Sequence, residues 1–308
     1  KVNARTGRFG TFSDGQGTHD LLEYNRIEEG FARPPEGKTV ADRSHNPDWA
    51  NIMAQGMAAH DGVLFISLYF RDKLIVVDPE EGWITREIPL HRPSGLVSDG
   101  RRLIAISGSK VVEVDTGTGA TTDLITSHLA APIGLAVDAH GNLYVSDWGD
   151  QMCVKKFSVD GELRQTFGKV GGRPWIGPYD PAGMTLPRGI SVDKRGRLWV
   201  AEDSNTPRRL SCWNPDGSLA FEKYGTTWYS GEGCYIFPDN PERAWFNGSL
   251  IDLDWERGLW RMRAVPWAST HEDALLGLNS LALIKAVREV RGKTYVLHTG
   301  ARFGMVAI

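Results

Sequence analysis

Residues 129–147 read Leu-Ala-Ala-Pro-Ile-Gly-Leu-Ala-Val-Asp-Ala-His-Gly-Asn-Leu-Tyr-Val-Ser-Asp, and residues 185–202 read Thr-Leu-Pro-Arg-Gly-Ile-Ser-Val-Asp-Lys-Arg-Gly-Arg-Leu-Trp-Val-Ala-Glu. Superimposed, they share the frame Pro-x-Gly-(Leu/Ile)-x-Val-Asp-x-x-Gly-x-Leu-(Tyr/Trp)-Val. Apolar runs on either side of an Asp-x-x-Gly turn make this frame a hairpin: Val137 ends one strand, Asp138 and Gly141 supply the turn, and Leu143 opens the next. Each copy runs on into a third strand closed by an Asp-Gly turn, at Asp160-Gly161 and at Asp216-Gly217. A fourth strand follows in each, over 163–168 and 219–225. The unit is therefore four short strands, and it occurs twice in succession.

Weaker copies flank this pair. Gln55-Gly56 leads to Asp61-Gly62 and a run at 74–78, and Pro93-Ser94-Gly95 leads to Asp99-Gly100 and Val111-Val-Glu-Val-Asp115. Downstream, Glu232-Gly233 leads to runs at 243–246 and 250–254, and Asn279-Ser280 leads to a run at 292–297. The marker glycines at 56, 95, 134, 189 and 233 stand 39, 39, 55 and 44 residues apart. Four short strands at a period of about 40–50 residues are the mark of a β-propeller blade.

Residues 132–168 and 187–225 resemble NHL repeats, and 52–308 as a whole resembles a six-bladed β-propeller of the NHL type. The expected fold class is thus all-β. Five units begin near Ile52, His91, Ala130, Leu186 and Tyr229, and a sixth near Leu278 runs to residue 308 with three strands. Residues 1–12 are expected to supply the missing outer strand of that last blade, with 8–12 as the strand, because closing the ring removes free sheet edges. Both ends falling within one blade imply a domain of a longer polypeptide or a processed chain. Residues 13–51 read as a strap leading to the first blade. Residues 169–185, rich in Gly and Pro, read as a loop insertion without regular structure and account for the long 55-residue spacing. The one expected helix is 271–276.

Composition agrees with a turn-rich β protein: 35 glycines, and 10% Phe, Trp and Tyr. With 35 Lys and Arg against 38 Asp and Glu, the net charge of −3 lacks the basic excess of a nucleic-acid binder. No stretch approaches the roughly 20 apolar residues of a membrane-spanning helix. The cysteines, Cys153, Cys212 and Cys234, are too few and too scattered for a disulfide framework or a structural zinc site. Propellers similar to this one are often extracytoplasmic, which is the location the resemblance implies.

Blade geometry turns repeat positions into a map. The residue before each marker glycine and the residue just after each second strand line one channel mouth. The first set is Gln55, Ser94, Ile133, Arg188, Glu232 and Asn279; the second is Leu68, Ser107, Asp147, Glu202, Asn247 and His298. Asp147, Glu202, Glu232 and Asn247 form an oxygen-rich arc of the kind that holds one divalent ion, Ca²⁺ or, with an imidazole, Zn²⁺. Against this stands the NHL pattern itself, in which an Asp after the second strand bonds neighbouring backbone. His298 and Arg188 are the candidates for catalysis, as proton carrier and as binder of a substrate anion. Arg188, Trp148, Trp175, Tyr179 and Asn279 are the candidates for ligand binding, with the aromatic rings as stacking faces or as pins for the insertion. Arg71, Arg208, Arg209 and Arg302 add positive charge in loops on this face.

Two functions fit. One is a recognition module that offers its loop face to a protein, peptide or carbohydrate. The other is a metal-dependent enzyme resembling propeller lactonases or NHL-like lyases. The lactonase-like Arg-Pro-Asn-Gly is present only as Arg92-Pro93-Ser94-Gly95, without the asparagine, and only His298 brings an imidazole to the mouth. Recognition is accordingly the expected role.

Overall fold

The computed structural model describes residues 11–13, 18–20, 54–79, 84–174, 177–203, 208–224, 234–237, 240–246, 249–265, 284–290, 293–299 and 303–307. Strands β1 (Thr11–Ser13) and β2 (Thr18–Asp20) form a hairpin. The first sheet is an antiparallel meander of β3 (Ala54–His60), β4 (Val63–Leu68), β5 (Lys73–Val77) and β6 (Ile84–Pro89). The second repeats this order with β7 (Pro93–Ser98), β8 (Leu103–Ser107), β9 (Lys110–Val114) and β10 (Thr121–Ile125). The third is β11 (Pro132–Val137), β12 (Leu143–Asp147), β13 (Cys153–Phe157) and β14 (Leu163–Phe167).

A short strand, β15 (Gly177–Pro178), precedes the fourth sheet, which is built from β16 (Pro187–Val192), β17 (Leu198–Glu202), β18 (Arg209–Trp213) and β19 (Leu219–Tyr224). The fifth has β20 (Cys234–Phe237), β21 (Asn240–Phe246), β22 (Ser249–Asp254) and β23 (Leu259–Val265), with β15 added on the free side of β23. The sixth has three strands, β24 (Ile284–Val290), β25 (Lys293–Thr299) and β26 (Phe303–Ala307). The chain is all-β, a series of propeller-like sheets. A single 3-10 turn, Tyr69–Arg71, is the helical element among the described residues.

Period-two alternation explains why several strands are apolar along their whole length. In β8, Leu103 and Ala105 pack with Phe65, Leu74 and Val76 of the first sheet, while Ile104 and Ile106 pack with Leu135, Val145 and Phe157 of the third. In β12, Leu143 and Val145 face the second sheet, and Tyr144 faces Leu198, Val200 and Trp213 of the fourth. Each inner sheet is thus buried on both faces, and the core is a set of layers between sheets, with each fully buried Leu, Ile or Phe contributing roughly 1.5–3 kcal/mol.

The innermost strands run side by side, β3 against β7, β7 against β11, and β11 against β16. Their closeness explains two marker glycines. A Cβ on Gly56 would lie 2.3 Å from the carbonyl oxygen of Ser94, and one on Gly134 would lie 2.0 Å from that of Arg188. The series also curves back on itself, because Gln55 of the first sheet bonds Arg188 of the fourth, 133 residues on.

Thr11 and Phe12, from the expected closing strand, pair with Asp20 and His19. Residues 1–10, the expected helix at 271–276 and nearly all of the 13–51 strap lie outside the described residues. The insertion corrects an expectation. Gly177 pairs with Val265 and Pro178 with Ala264, so part of 169–185 is a strand.

Candidate functional site

The mouth is formed where the innermost strands start and the second strands end. Its frame is set by two serines next to last on their second strands. Ser67 Oγ accepts the Gly56 N–H at 2.6 Å and donates to the Ser94 carbonyl at 2.7 Å. Ser146 Oγ accepts the Gly134 N–H at 2.8 Å and donates to the Arg188 carbonyl at 3.2 Å. One hydroxyl thus satisfies its own strand and holds the next sheet, which pins the backbone of Arg188. The recurrence of Ser at 67 and 146 is the sequence signal for this stitch, and reading the repeat only for its apolar frame misses it.

Arg188 is the central charged group of the mouth. Its side chain is 27% exposed, with Nη1 2.6 Å from Asp203 Oδ2 and Nη2 donating to Gln55 Oε1 at 3.0 Å. The guanidinium lies 5.4 Å over the Trp148 ring, within cation–π range. Trp148 itself is buried, 2% exposed, packed with Ile133 and Leu186, and its indole N–H donates to the Pro187 carbonyl at 2.7 Å. The indole therefore supports Arg188 from below, and a ligand meets the guanidinium before the ring. The structure pairs Arg188 with Asp203, because Glu202 is already taken.

The carboxylates of the expected metal set are enclosed by cations and N–H groups. Asp147 accepts the Ala131 N–H at 2.7 Å and the Ala130 N–H at 3.0 Å, and its other oxygen lies 2.8 Å from Lys155 Nζ. Both side chains of that pair are buried, 0% and 7% exposed. Glu202 is held at 2.6 Å by Arg173 and at 3.1 Å by Arg209, and it accepts the Thr185 N–H at 3.1 Å. A divalent ion at either carboxylate would face an ammonium or two guanidiniums at contact distance, so as far as it is described this donor set does not fit a metal. Among the described residues no group of three His, Cys, Asp or Glu side chains is placed to hold one. Glu232, Asn247, Asn279 and Trp175 lie outside the described residues. His298 is on β25, paired with Ile284 and Gly304.

Arg209, expected as surface charge, is instead buried and organises the insertion. Besides Glu202 it reaches Glu222 at 2.7 Å, the Gly183 carbonyl at 2.6 Å and the Pro181 carbonyl at 2.5 Å. Tyr179 donates to Glu222 at 2.8 Å, and its ring lies beneath Arg173 and Arg209 at 5.4 and 6.0 Å. Burial raises the Tyr179 phenol above its ordinary pKa, against the pull of both arginines, so it stays neutral and donates. The structure places Tyr179 as a pin of the insertion. Cys153 and Cys212 are buried free thiols, and burial pushes Cys153 up to about 11.

No protein-family model matches the sequence, and no curated protein matches it. Solved structures do. Hydrazine synthase of Kuenenia stuttgartiensis is similar with a TM-score of 0.46 and 14% identity, over 79% of this chain and 73% of that one. A streptogramin B lyase gives 0.41 and 12%, over 79% and 75% of the two chains. Virginiamycin B lyase from Staphylococcus aureus gives 0.42 and 15%, over 83% and 84%.

Proposed function

We propose that the chain is a six-bladed NHL-type propeller acting as a recognition module, extracytoplasmic, that binds a carboxylate-bearing peptide or carbohydrate at its mouth. The observation that carries this is Arg188. It is a partly exposed cation at the mouth, held by backbone stitching from Ser146, by Gln55 and by the Trp148 ring. A planar guanidinium fixed in this way is suited to a carboxylate, which can replace Asp203 on Nη1 without reorganising the site. Asp147 and Glu202 are engaged in buried ion pairs, which leaves Asp203 as the carboxylate a ligand would displace from Arg188.

The test is an array of acidic, neutral and basic peptides together with neutral and uronate-bearing oligosaccharides. Binding is expected to concentrate on acidic members and to weaken about 10- to 100-fold in Arg188→Ala. Acidic ligands bound equally well by that variant overturn the proposal. So does a tightly bound divalent ion that is lost in Asp147→Asn, since that outcome places a metal-dependent enzyme at the mouth.

A further inference from the structure

Four residues after the marker glycine, the second, third and fourth units carry an aspartate, Asp99, Asp138 and Asp193. Each caps its own turn. Asp99 accepts the N–H groups of Arg101 and Arg102, Asp138 those of His140 and Asn142, and Asp193 those of Arg195 and Arg197. The first unit has His60 at this position. Its imidazole reaches across to the second sheet, with Nδ1 2.8 Å from Ser98 Oγ, while Nε2 lies 3.4 Å from Asp61 Oδ2. The His60 side chain is 5% exposed and meets Phe65 edge-on at 6.3 Å, whereas Asp61 is 75% exposed. Ser98 is partly exposed and accepts the Gly100 N–H at 3.1 Å. These groups sit at the ends of β3 and β7 opposite the mouth, so they are independent of Arg188.

A hydroxyl, an imidazole and a carboxylate in series form the arrangement that activates a serine. With the imidazole proton on Nε2, 3.4 Å from Asp61 Oδ2, Nδ1 keeps its lone pair for the Ser98 proton. The geometry points to a second reactive centre, in which Ser98 is a nucleophile toward activated acyl and phosphonyl groups, His60 is its base and Asp61 is a positioning residue. Ser98 Oγ bonds to the carbonyl carbon of an ester as its proton passes to Nδ1. The ester C–O bond breaks, and the leaving alcohol takes that proton. Water then repeats the exchange, releasing the acid and restoring Ser98. The substrate class follows from the donors at hand. Gly100 N–H is beside the nucleophile, but the N–H groups of Arg101 and Arg102 are committed to Asp99, so oxyanion support is thin. Since each oxyanion donor contributes about 10²–10³ in rate, esters of good leaving groups are within reach and amides are not.

A fluorophosphonate tests this directly, because attack by Ser98 Oγ expels fluoride and leaves a stable phosphonyl adduct. Peptide mapping of the labelled protein is expected to find the adduct on Ser98, and none in Ser98→Ala or His60→Gln. Asp61→Asn, at an exposed position, is expected to keep the wild-type melting temperature and slow labelling at least ~10-fold, with Asp61→Glu recovering most of the rate. No adduct on Ser98, or equal labelling rates in wild type and Asp61→Asn, overturns the proposal.

Discussion

A Cβ on Gly134 would meet the Arg188 carbonyl oxygen at 2.0 Å and Ser146 Oγ at 2.7 Å, whereas a Cβ on Gly189 would meet, among the described residues, Ala201 Cβ at 3.6 Å. Both are marker glycines of the repeat. Gly134→Ala must push β11 from β16 and break the Ser146 stitch, and urea unfolding is expected to show a loss of about 1–3 kcal/mol. The sequence shows that both positions want glycine in the frame, but not that Gly134 comes up against the backbone of the next sheet, since that depends on the spacing between sheets. The same holds for Trp148, which follows a second strand exactly where a mouth residue is expected and is turned inward by its bond to the Pro187 carbonyl. Lys155 was more legible than the metal set allowed. Asp147 faces Cys153 in the β12–β13 register, and Lys155, two residues on, falls on the same side.

At the level of the element, the repeat was read most faithfully in its hairpin turns. Asp138 shows why. Burial alone would raise its carboxyl pKa, but hydrogen bonds from the Asn142 side chain and from the Asn142 and His140 N–H groups, with Lys156 nearby, hold it below the ordinary value. Asp99 is lowered in the same way, by Arg101 and Arg102 against burial. A carboxylate depressed in the folded state contributes stability above its unfolded pKa of about 3.9 and loses it as pH falls through the folded value. Asp138→Asn removes this titration. The stability lost between pH 7 and pH 3, measured by urea unfolding, is therefore expected to be smaller in Asp138→Asn than in wild type. Local chemistry of this sort is visible in sequence because partners lie two to four residues apart. The pairing of β15 with β23 is not, because Gly177-Pro178 has no alternation and its partners are a whole unit away.

For the molecule as a whole, the contact between Gln55 and Arg188 measures how far the sheets bend round. Side chains at the starts of the first and fourth innermost strands meet at 3.0 Å. A double-mutant cycle on Gln55→Ala and Arg188→Ala is expected to give a coupling of about 0.5–1.5 kcal/mol in unfolding free energy. A coupling of zero would mean that the two sheets do not meet. Propellers are quasi-one-dimensional objects, in which each repeat normally leans only on the repeats before and after it. The insertion departs from that rule. It leaves the third sheet after Phe167, ties itself to the fourth through Arg209 and Glu222, and hydrogen-bonds to the outer strand of the fifth, where Tyr179 N–H meets the Arg263 carbonyl at 3.0 Å. Three consecutive repeats thus share one clasp. Their unfolding becomes a joint event, with a term that links the third sheet to the fifth, and the cooperative unit of this part of the chain is set by a loop and not by the repeat.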